Sequence, residues 1–246
     1  MIPKIIHYCW FGKGKMPEEA NKLIETWKEN CPDYEIIRWD ESNFDIESND
    51  YVKEAYKCKK YAFVTDYVRL YALYNYGGIY MDTDVEVCKS FDELLNNEAF
   101  SGYESTDFIP TGTMASSKNN KWIKLLLDDY KNIHFLKNGI MDLTTNTQRI
   151  TETTLKNYNI KLDGRIIITD DFTIYPFDYL CAKDWYTGKI YKSDNTYTIH
   201  HFAKSWQKKS IKIYGNLRRF MKKSNFFILK KIDKFLDYIL QKEIKK

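Results

Sequence analysis

The sequence predicts an α/β protein in which a mainly parallel central sheet is flanked by helices. Within the first forty residues a strand pattern, a helix pattern and a second strand pattern follow one another. Helix and strand patterns then alternate along the chain as far as residue 202. A strand, a crossover helix and a second strand form a βαβ unit, whose strands are parallel. The alternation therefore indicates one sheet covered by helices.

The spacing of apolar residues near the N-terminus predicts the first βαβ unit. Residues 2–10 form an apolar run that ends at two glycines, which indicates a short buried strand. Pro17 opens a helix whose apolar residues recur at helical spacing, and Cys31-Pro32 closes it. Residues 34–39 form the next predicted strand.

A second helix and strand lead into a pair of aspartates. Residues 61–76 have the pattern of an apolar helix, which Gly77-Gly78 stops as a C-terminal cap. Residues 79–81 are predicted to form a strand that runs into Asp82-Thr83-Asp84. Two further helices are predicted near 120–131 and 148–158, and two further strands near 165–169 and 196–202.

Cysteine usage and apolar runs exclude several classes of protein. The five cysteines are odd in number and contain no C-x-x-C pair, so neither a disulfide framework nor a zinc knuckle is indicated. The N-terminus does not have the pattern of a signal peptide, and no run reaches the roughly 18 apolar residues of a membrane span. We therefore expect a cytoplasmic protein.

The net charge of +4 is divided unevenly along the chain. Residues 1–203 contain 24 basic and 31 acidic residues, whereas residues 204–246 contain fourteen basic and three acidic ones. In residues 207–246 apolar residues recur at helical intervals among lysines, which predicts a basic amphipathic helical tail. Such a helix can lie on the inner face of the cell membrane, each basic residue contributing about 1 kcal/mol.

Two alternatives for the tail stay open. The helix can instead dock on the body or on a second subunit, with its lysines in water. RNA binding is a third interpretation, but no RNP, KH or zinc signature supports it, so nucleic acid is not expected as a partner.

The central pair of acids, Asp82 and Asp84, has the spacing of a cation site. Residues two apart in an extended segment point to the same face. These two follow a strand, and the carboxyl ends of strands are where α/β sheets bind ligands. Carboxylate oxygens suit Mg²⁺ or Mn²⁺, whereas the alternative is a solvated turn. Upstream, Asp66 and Arg69 share one helix face and fit either a sugar and a phosphate or a structural ion pair.

At these residues the sequence resembles a known family. Residues 62–69 (AFVTDYVR), Gly77-Gly78-Ile79-Tyr80 and Asp82-Thr83-Asp84 look like the D-x-D region of the yeast initiating mannosyltransferases and the bacterial capsule or lipopolysaccharide glycosyltransferases. The glucosylating domains of the large clostridial toxins share this spacing. Residues 2–12 and the late segment 199–206 are similar to the family's first strand and final active-site loop.

The resemblance implies a GT-A fold over residues 1–206 and transfer of a sugar from a nucleotide donor with retained configuration. It implies that Asp84 grips the metal and that Asp82 contacts the ribose, the sugar or the metal through water. It further implies that Asp66 and Arg69 orient the donor sugar.

The remaining implied positions concern the nucleotide and the third metal ligand. Tyr80 would lie near the ribose, Trp10 would stack near the base, and Ser205 and Trp206 would belong to a loop that closes over the diphosphate. A histidine near the end of the catalytic domain would complete the coordination of Mn²⁺ or Mg²⁺. Neighbouring residues of a strand face opposite ways, so only one of His200 and His201 can face the metal. His200 is favoured.

The predicted function is metal-dependent transfer of a hexose or an N-acetylhexosamine to a saccharide or lipid-linked acceptor in cell-surface polysaccharide synthesis. A UDP-sugar is the favoured donor, with GDP-mannose as an alternative. A metal-dependent phosphohydrolase or nuclease and a non-catalytic nucleotide-sugar-binding module are the competing interpretations.

Overall fold

The computed structural model describes residues 1–109, 112–185 and 187–203. The predicted tail at 207–246, and with it Ser205 and Trp206, lies outside the described residues. The helices are α1 (Glu18–Asn30), α2 (Asp50–Lys57), α3 (Tyr61–Tyr76), α4 (Lys121–Asp128), α5 (Asn146–Asn157) and α6 (Phe177–Leu180). The strands are β1 (Ile5–Cys9), β2 (Glu35–Trp39), β3 (Gly78–Met81), β4 (Val85–Val87), β5 (Ala99–Gly102), β6 (Thr113–Ser116), β7 (Leu136–Lys137), β8 (Ile140–Met141), β9 (Ile167–Ile168), β10 (Thr173–Tyr175) and β11 (Thr198–His200).

Seven strands form the main sheet, in the order β2-β1-β3-β6-β5-β10-β9. Five of them share one direction, and only β6 and β9 run against their neighbours. A separate two-stranded sheet joins β11 to β4, and a hairpin joins β7 to β8. The predicted α/β fold, a mainly parallel sheet flanked by helices, is confirmed.

Two hydrophobic cores cover the two faces of the sheet. One contains buried residues of α2, α3, α4 and α5. The other contains buried residues of α1, β4 and the segment around Phe91. Consecutive residues of β3 divide between them, since Tyr80 belongs to the first core and Ile79 and Met81 to the second. A strand with buried residues on both faces has a continuous apolar pattern.

Local signals predict the bounds of several elements correctly. The helix at 61–76 is α3, and the first predicted helix and the two strands beside it are α1, β1 and β2 with shorter ends. The spacing of apolar residues in the sequence does not indicate α2, β4 to β8, β10 or α6. The central strands β5 and β6 are four residues long, include Ala, Ser and Gly, and are buried throughout, so they show no alternation. Within the described residues, no helix has the length and apolar character needed to cross a bilayer.

The Gly77-Gly78 junction fixes the position of α3 relative to β3. Gly77 has φ +71° and donates its N–H to the carbonyl of Leu73, which ends the helix. Gly78 has φ +103°, and a Cβ there would lie 2.6 Å from the carbonyl oxygen of Ile5. Only glycine fits this backbone and this close approach. The junction thereby holds the helix that carries Asp66 against the strand that precedes Asp82.

A buried histidine forms a hydrogen bond to the Gly77-Gly78 junction. His7 is fully buried, and its Nδ1 accepts a hydrogen bond from the Trp39 indole at 3.1 Å. Its Nε2 therefore carries the hydrogen and donates to the carbonyl of Gly77 at 2.7 Å. Burial lowers the pKa of His7 to about 4, although its hydrogen bond to Gly77 acts in the opposite direction. The imidazole is thus held neutral in the folded protein.

The neutral His7 makes stability depend on pH. The unfolded chain binds a proton at His7 near pH 6.5, whereas the folded chain does so only near pH 4. Between these values the unfolded state binds more protons, so the free energy of unfolding should fall as the pH falls, by up to about 3 kcal/mol. Urea unfolding at pH 7 and pH 4.5 measures this loss. A His7→Gln variant should lose less stability over the same interval, and an equal loss in both proteins would contradict the assignment.

Candidate active site

Asp82 and Asp84 lie in a tight turn between β3 and β4. The N–H of Val85 donates to the carbonyl of Asp82 at 3.0 Å, and the N–H of Asp82 donates to the carbonyl of Gly112 at 2.9 Å. From the other side, the buried indole of Trp27 donates to the carbonyl of Val85 at 2.8 Å. The backbone on both sides of the two acids is therefore held by hydrogen bonds. The turn lies at the carboxyl end of β3, the edge at which α/β sheets bind ligands.

Strand β11 brings His200 to the two acids. It pairs antiparallel with β4, which places His200 opposite Val85, the residue after Asp84. The Nε2 of His200 lies 3.2 Å from the Oδ1 of Asp84. Asp82, Asp84 and His200 each offer one ligand atom, and these three atoms lie within 4.8 Å of one another. They are the one such group of three or more metal-ligating residues found in the described part of the chain.

The surroundings of His200 suit a metal ligand. Its Nδ1 is buried and makes no hydrogen bond of ordinary geometry among the described residues, and the Cys181 thiol also interacts with the imidazole. The ring packs against Gly112, where a Cβ would lie 2.7 Å from Nδ1. Burial lowers the pKa of His200, but the Asp84 carboxylate beside it raises the value well above the usual one. Two carboxylates and one imidazole are a donor set that fits Mn²⁺ or Mg²⁺.

His201 faces away from the two acids. Its Nε2 lies 2.7 Å from a carboxylate oxygen of Glu86, and its Nδ1 lies 3.3 Å from the Nζ of Lys183. Its backbone N–H donates to the carbonyl of Asp84 at 2.9 Å, so the segment is fixed on both sides. Of the two predicted histidines, the structure brings His200 to Asp84 and turns His201 outwards.

Arg69 and Asp66 reach the same turn from α3. An Nη of Arg69 lies 3.1 Å from Oδ1 of Asp82 and 3.4 Å from Oδ1 of Asp66, and the Arg69 side chain is only 5% exposed. The guanidinium also lies over the ring of Tyr80, 4.5 Å from its centre. The Tyr80 hydroxyl donates to Asp82 at 2.9 Å. Arg69 thus holds carboxylates from two elements together.

Burial and mutual repulsion shift the pKa values of these groups. Burial raises the pKa of Asp66 to about 7, an effect that the nearby Arg69 opposes and the Asp82 charge reinforces. Burial also raises the pKa of Asp82 against the attraction of Arg69. For Arg69 itself burial lowers the pKa, but Asp82, Tyr80 and Asp66 together raise it above the ordinary value. The guanidinium is therefore a permanent charge, whereas the Asp66 carboxyl can hold a proton near neutral pH.

Asn146 is a site residue that sequence reasoning misses. It is the first residue of α5 and is 6% exposed, and its amide helps to lower the pKa of Asp66. Neither its amide nitrogen nor its carbonyl oxygen has a hydrogen bond of ordinary geometry among the described residues. It lies eighty residues after Asp66 in the chain, so no local spacing points to it.

Trp10 lies at the same edge of the sheet. It directly follows β1, the parallel neighbour of β3, and its N–H donates to the carbonyl of Trp39 at 2.9 Å. Its indole donates to the carbonyl of Gly14 at 2.7 Å and is half-buried. Tyr80, in contrast, is almost fully buried beneath Arg69. The Trp10 ring is therefore accessible, whereas Tyr80 orients Asp82 through its hydroxyl.

Comparison with curated proteins finds relatives that transfer sugars. Inositol phosphoceramide mannosyltransferase 3 of Schizosaccharomyces pombe is 32% identical over 133 residues, which are 50% of this chain and 35% of that protein. The mannosyl phosphorylinositol ceramide synthase CSH1 of Saccharomyces cerevisiae is 28% identical over 153 residues, 59% of this chain and 39% of that protein. The chain thus spans little more than a third of these relatives. An uncharacterized glycosyltransferase, L373 of Acanthamoeba polyphaga mimivirus, is 26% identical over 84% of both chains.

Solved structures of glycosyltransferases are similar at a lower level. The PaToxG glycosyltransferase has a TM-score of 0.46 and 21% identity, with 64% of this chain and 70% of that chain covered. The galactosyltransferase LgtC has a TM-score of 0.45 and 12% identity, with 89% and 95% covered.

A family model matches the segment that contains the two acids. Residues 17–101 match the family described as a glycosyltransferase sugar-binding region containing a DXD motif. The matched segment includes α1, β2, α2, α3, β3 and β4. This match over residues 17–101 agrees with the resemblance that the sequence predicts.

Proposed function

We propose that this chain is a metal-dependent glycosyltransferase. It transfers a hexose or an N-acetylhexosamine from a nucleotide sugar to a saccharide or lipid-linked saccharide acceptor. The observation that carries this proposal is the meeting of Asp82, Asp84 and His200 beside the buried charge of Arg69. The family match over residues 17–101 supports the same class of reaction.

The three ligand residues and Arg69 act on the leaving group. Asp82, Asp84 and His200 would hold the cation, and Asp82 also accepts hydrogen bonds from Tyr80 and Arg69. When bound there, Mn²⁺ or Mg²⁺ supplies positive charge to the diphosphate as the glycosidic bond breaks. Arg69 adds a second positive charge that is already oriented before the donor binds, so it needs no reorganisation during the reaction.

Asp66 and Asn146 recognise the donor sugar. Asp66 is buried next to Arg69, and near neutral pH its carboxyl can accept or donate a hydrogen bond to a sugar hydroxyl. Asn146 offers a donor and an acceptor, neither of which makes a hydrogen bond of ordinary geometry among the described residues. A buried amide in this condition gains free energy when a ligand hydroxyl pairs with it.

The nucleotide lies between the first strand and the D-x-D turn in this proposal. Trp10 stacks near the base, and the ribose approaches Tyr80 and Asp82. The resemblance also assigns contacts with the diphosphate to Ser205 and Trp206, which lie outside the described residues. UDP is the favoured nucleotide, and GDP-mannose is the second candidate, in keeping with the named mannosyltransferase relatives.

The stereochemistry and the place of the reaction follow from the same resemblance. We propose retention of the anomeric configuration by front-face attack, in which the acceptor hydroxyl enters beside the departing diphosphate. The proposed place is the cytoplasm, at the inner face of the cell membrane, in the synthesis of a cell-surface polysaccharide such as a capsule or lipopolysaccharide. The basic residues of 204–246 support contact with an anionic membrane surface.

Replacing Asp84 tests the reaction class. Asp84→Asn keeps the shape of the side chain but weakens a hard cation ligand, so turnover should fall by roughly 10²-fold or more. The assay is release of UDP or GDP from UDP-glucose, UDP-galactose, their N-acetyl forms or GDP-mannose, with Mn²⁺ or with EDTA. Asp170→Asn, at an exposed position away from the site, is the matched control and should leave turnover unchanged. Release of inorganic phosphate, or no effect of Asp84→Asn, would speak against the transferase.

The neighbouring histidines provide a test of the metal site. His200→Ala should raise the Mn²⁺ concentration needed for half-maximal rate by about ten- to hundredfold, because one ligand is lost. His201→Ala removes an adjacent imidazole that faces Glu86, and should change this concentration by less than about twofold. Manganese titrations of donor hydrolysis measure both values. Equal shifts in the two variants would show that His200 is not a metal ligand.

The Asp66→Asn substitution should lower activity without lowering stability. A buried carboxyl whose pKa is raised to about 7 is unfavourable as an anion at pH 8, so Asp66→Asn should unfold at the same or a higher urea concentration. Turnover should nevertheless fall at least about tenfold, because the amide has only one acceptor oxygen and no charge to orient Arg69. Urea unfolding and donor hydrolysis at pH 8 are the measurements. A variant that is clearly less stable than the parent would show a structural ion pair instead.

A further inference from the structure

Two loops at the edge of the candidate site carry five lysines, which we call the lysine rim. The rim consists of Lys13, Lys15, Lys57, Lys59 and Lys60. The first loop follows β1, and the second connects α2 to α3, so both lie at the edge of the sheet where β3 leads into Asp82. Lysines that form salt bridges within the described residues are Lys4, Lys22, Lys28, Lys53, Lys124, Lys131 and Lys137. The rim lysines are not among them.

The two loops are packed together, so the rim is a single patch. A carboxylate oxygen of Glu41 accepts the N–H of Gly12 at 2.7 Å and the hydroxyl of Tyr56 at 2.8 Å. Gly12 also lies directly against the ring of Tyr61, where no Cβ would fit. Glu41 therefore ties the first loop to the end of α2, and Tyr61 ties it to the start of α3.

The rim concentrates positive charge on an otherwise acidic body. Residues 1–203 contain seven more acidic than basic residues, yet no acid occurs in residues 1–17 or in residues 55–65. Lys13 and Lys59 also have φ values of +58° and +55°, a region that strains residues other than glycine. Two exposed lysines of the rim thus have a backbone conformation that favours glycine.

A hairpin with an exposed isoleucine packs against α2 and α3, the two helices that the second loop of the rim connects. The β7–β8 hairpin is held to α2 by the N–H of Leu136, which donates to Glu54 at 2.8 Å, and to α3 by the contact of Phe135 with Phe63. At its tip Ile140 is 74% exposed. The chain then continues within a few residues to Asn146, next to Asp66. Cationic and apolar groups therefore border the same site.

We propose that the lysine rim and the tip of the β7–β8 hairpin dock on an anionic lipid bilayer. Lysines bind the charged headgroups while Ile140 enters the boundary with the acyl chains. The candidate site then faces the bilayer surface, where the hydroxyl of a lipid-linked saccharide reaches the donor. This inference rests on the proposed function for the identity of that acceptor, and it assigns membrane contact to the described body, independently of residues 207–246.

Vesicle flotation of the full chain tests the docking face. The rim variant combines Lys13→Gln, Lys57→Gln and Lys59→Gln. The matched control combines Lys118→Gln, Lys121→Gln and Lys161→Gln, three exposed lysines elsewhere on the body. With phosphatidylcholine vesicles that contain 30% phosphatidylglycerol, the rim variant should bind up to about a hundredfold more weakly, roughly fivefold for each lysine. The control should bind at least about tenfold more tightly than the rim variant.

A second variant and a second ligand separate the outcomes. Ile140→Asn leaves the charges unchanged and should weaken vesicle binding by about fivefold or more. Equal losses in the rim and control variants, or no loss in either, would overturn the proposal.

The affinity for free UDP and GDP, measured by calorimetry, should be the same in the rim variant and the parent. A rim variant that binds these nucleotides more weakly but binds vesicles normally would instead assign the rim to the donor. Donor hydrolysis in solution is scored separately, so a parent that binds vesicles without hydrolysis contradicts the proposed function alone.

Discussion

The buried charge of Arg69 is the constraint on which the rest of the site depends. A guanidinium removed from water is tolerated only where carboxylates and hydrogen-bond acceptors surround it. Asp66 supplies one partner from the same helix, and Asp82 supplies the other from the end of β3. The helix and the strand must therefore keep a fixed separation, and the Gly77-Gly78 junction sets it. Because Asp82 is the first acid of the D-x-D turn, satisfying Arg69 also orients the turn.

The three carboxylates of the site favour the binding of a cation. Besides burial, the Asp82 charge raises the pKa of Asp66 and the Asp84 charge raises that of Asp82, whereas Arg69 lowers both and His200 lowers that of Asp82. Such a cluster is unfavourable for folding and favourable for a cation, which would remove the repulsion on binding. The same arrangement explains why a donor with two phosphates can approach three carboxylates in the proposed reaction. Positive charge from Arg69 and a cation would convert the cluster into an anion site.

How much the sequence predicts depends on how local each feature is. The bounds of α3 and the glycine cap follow from neighbouring residues, so the pattern predicts them correctly. The choice between His200 and His201 depends on the pairing of β11 with β4, more than a hundred residues apart, and alternation alone leaves it open. Asn146 and His7 give no signal at all, since only tertiary packing brings them to Asp66 and Gly77. The central strands β5 and β6 are short, small-residue segments whose burial comes from both faces of the sheet.

The distribution of charge over the body fits a reaction at an interface. An acidic protein is repelled by an anionic bilayer, and the repulsion decreases with distance over about 10 Å in physiological salt. Lysines gathered at one edge overcome this only for the orientation in which that edge meets the lipid. The net negative charge of residues 1–203 therefore disfavours every other approach of the body, while the rim favours one. The donor site opens at this same edge, since β1 and β3 both end there. In the proposed docking, orientation by charge thus places the D-x-D turn near the membrane surface.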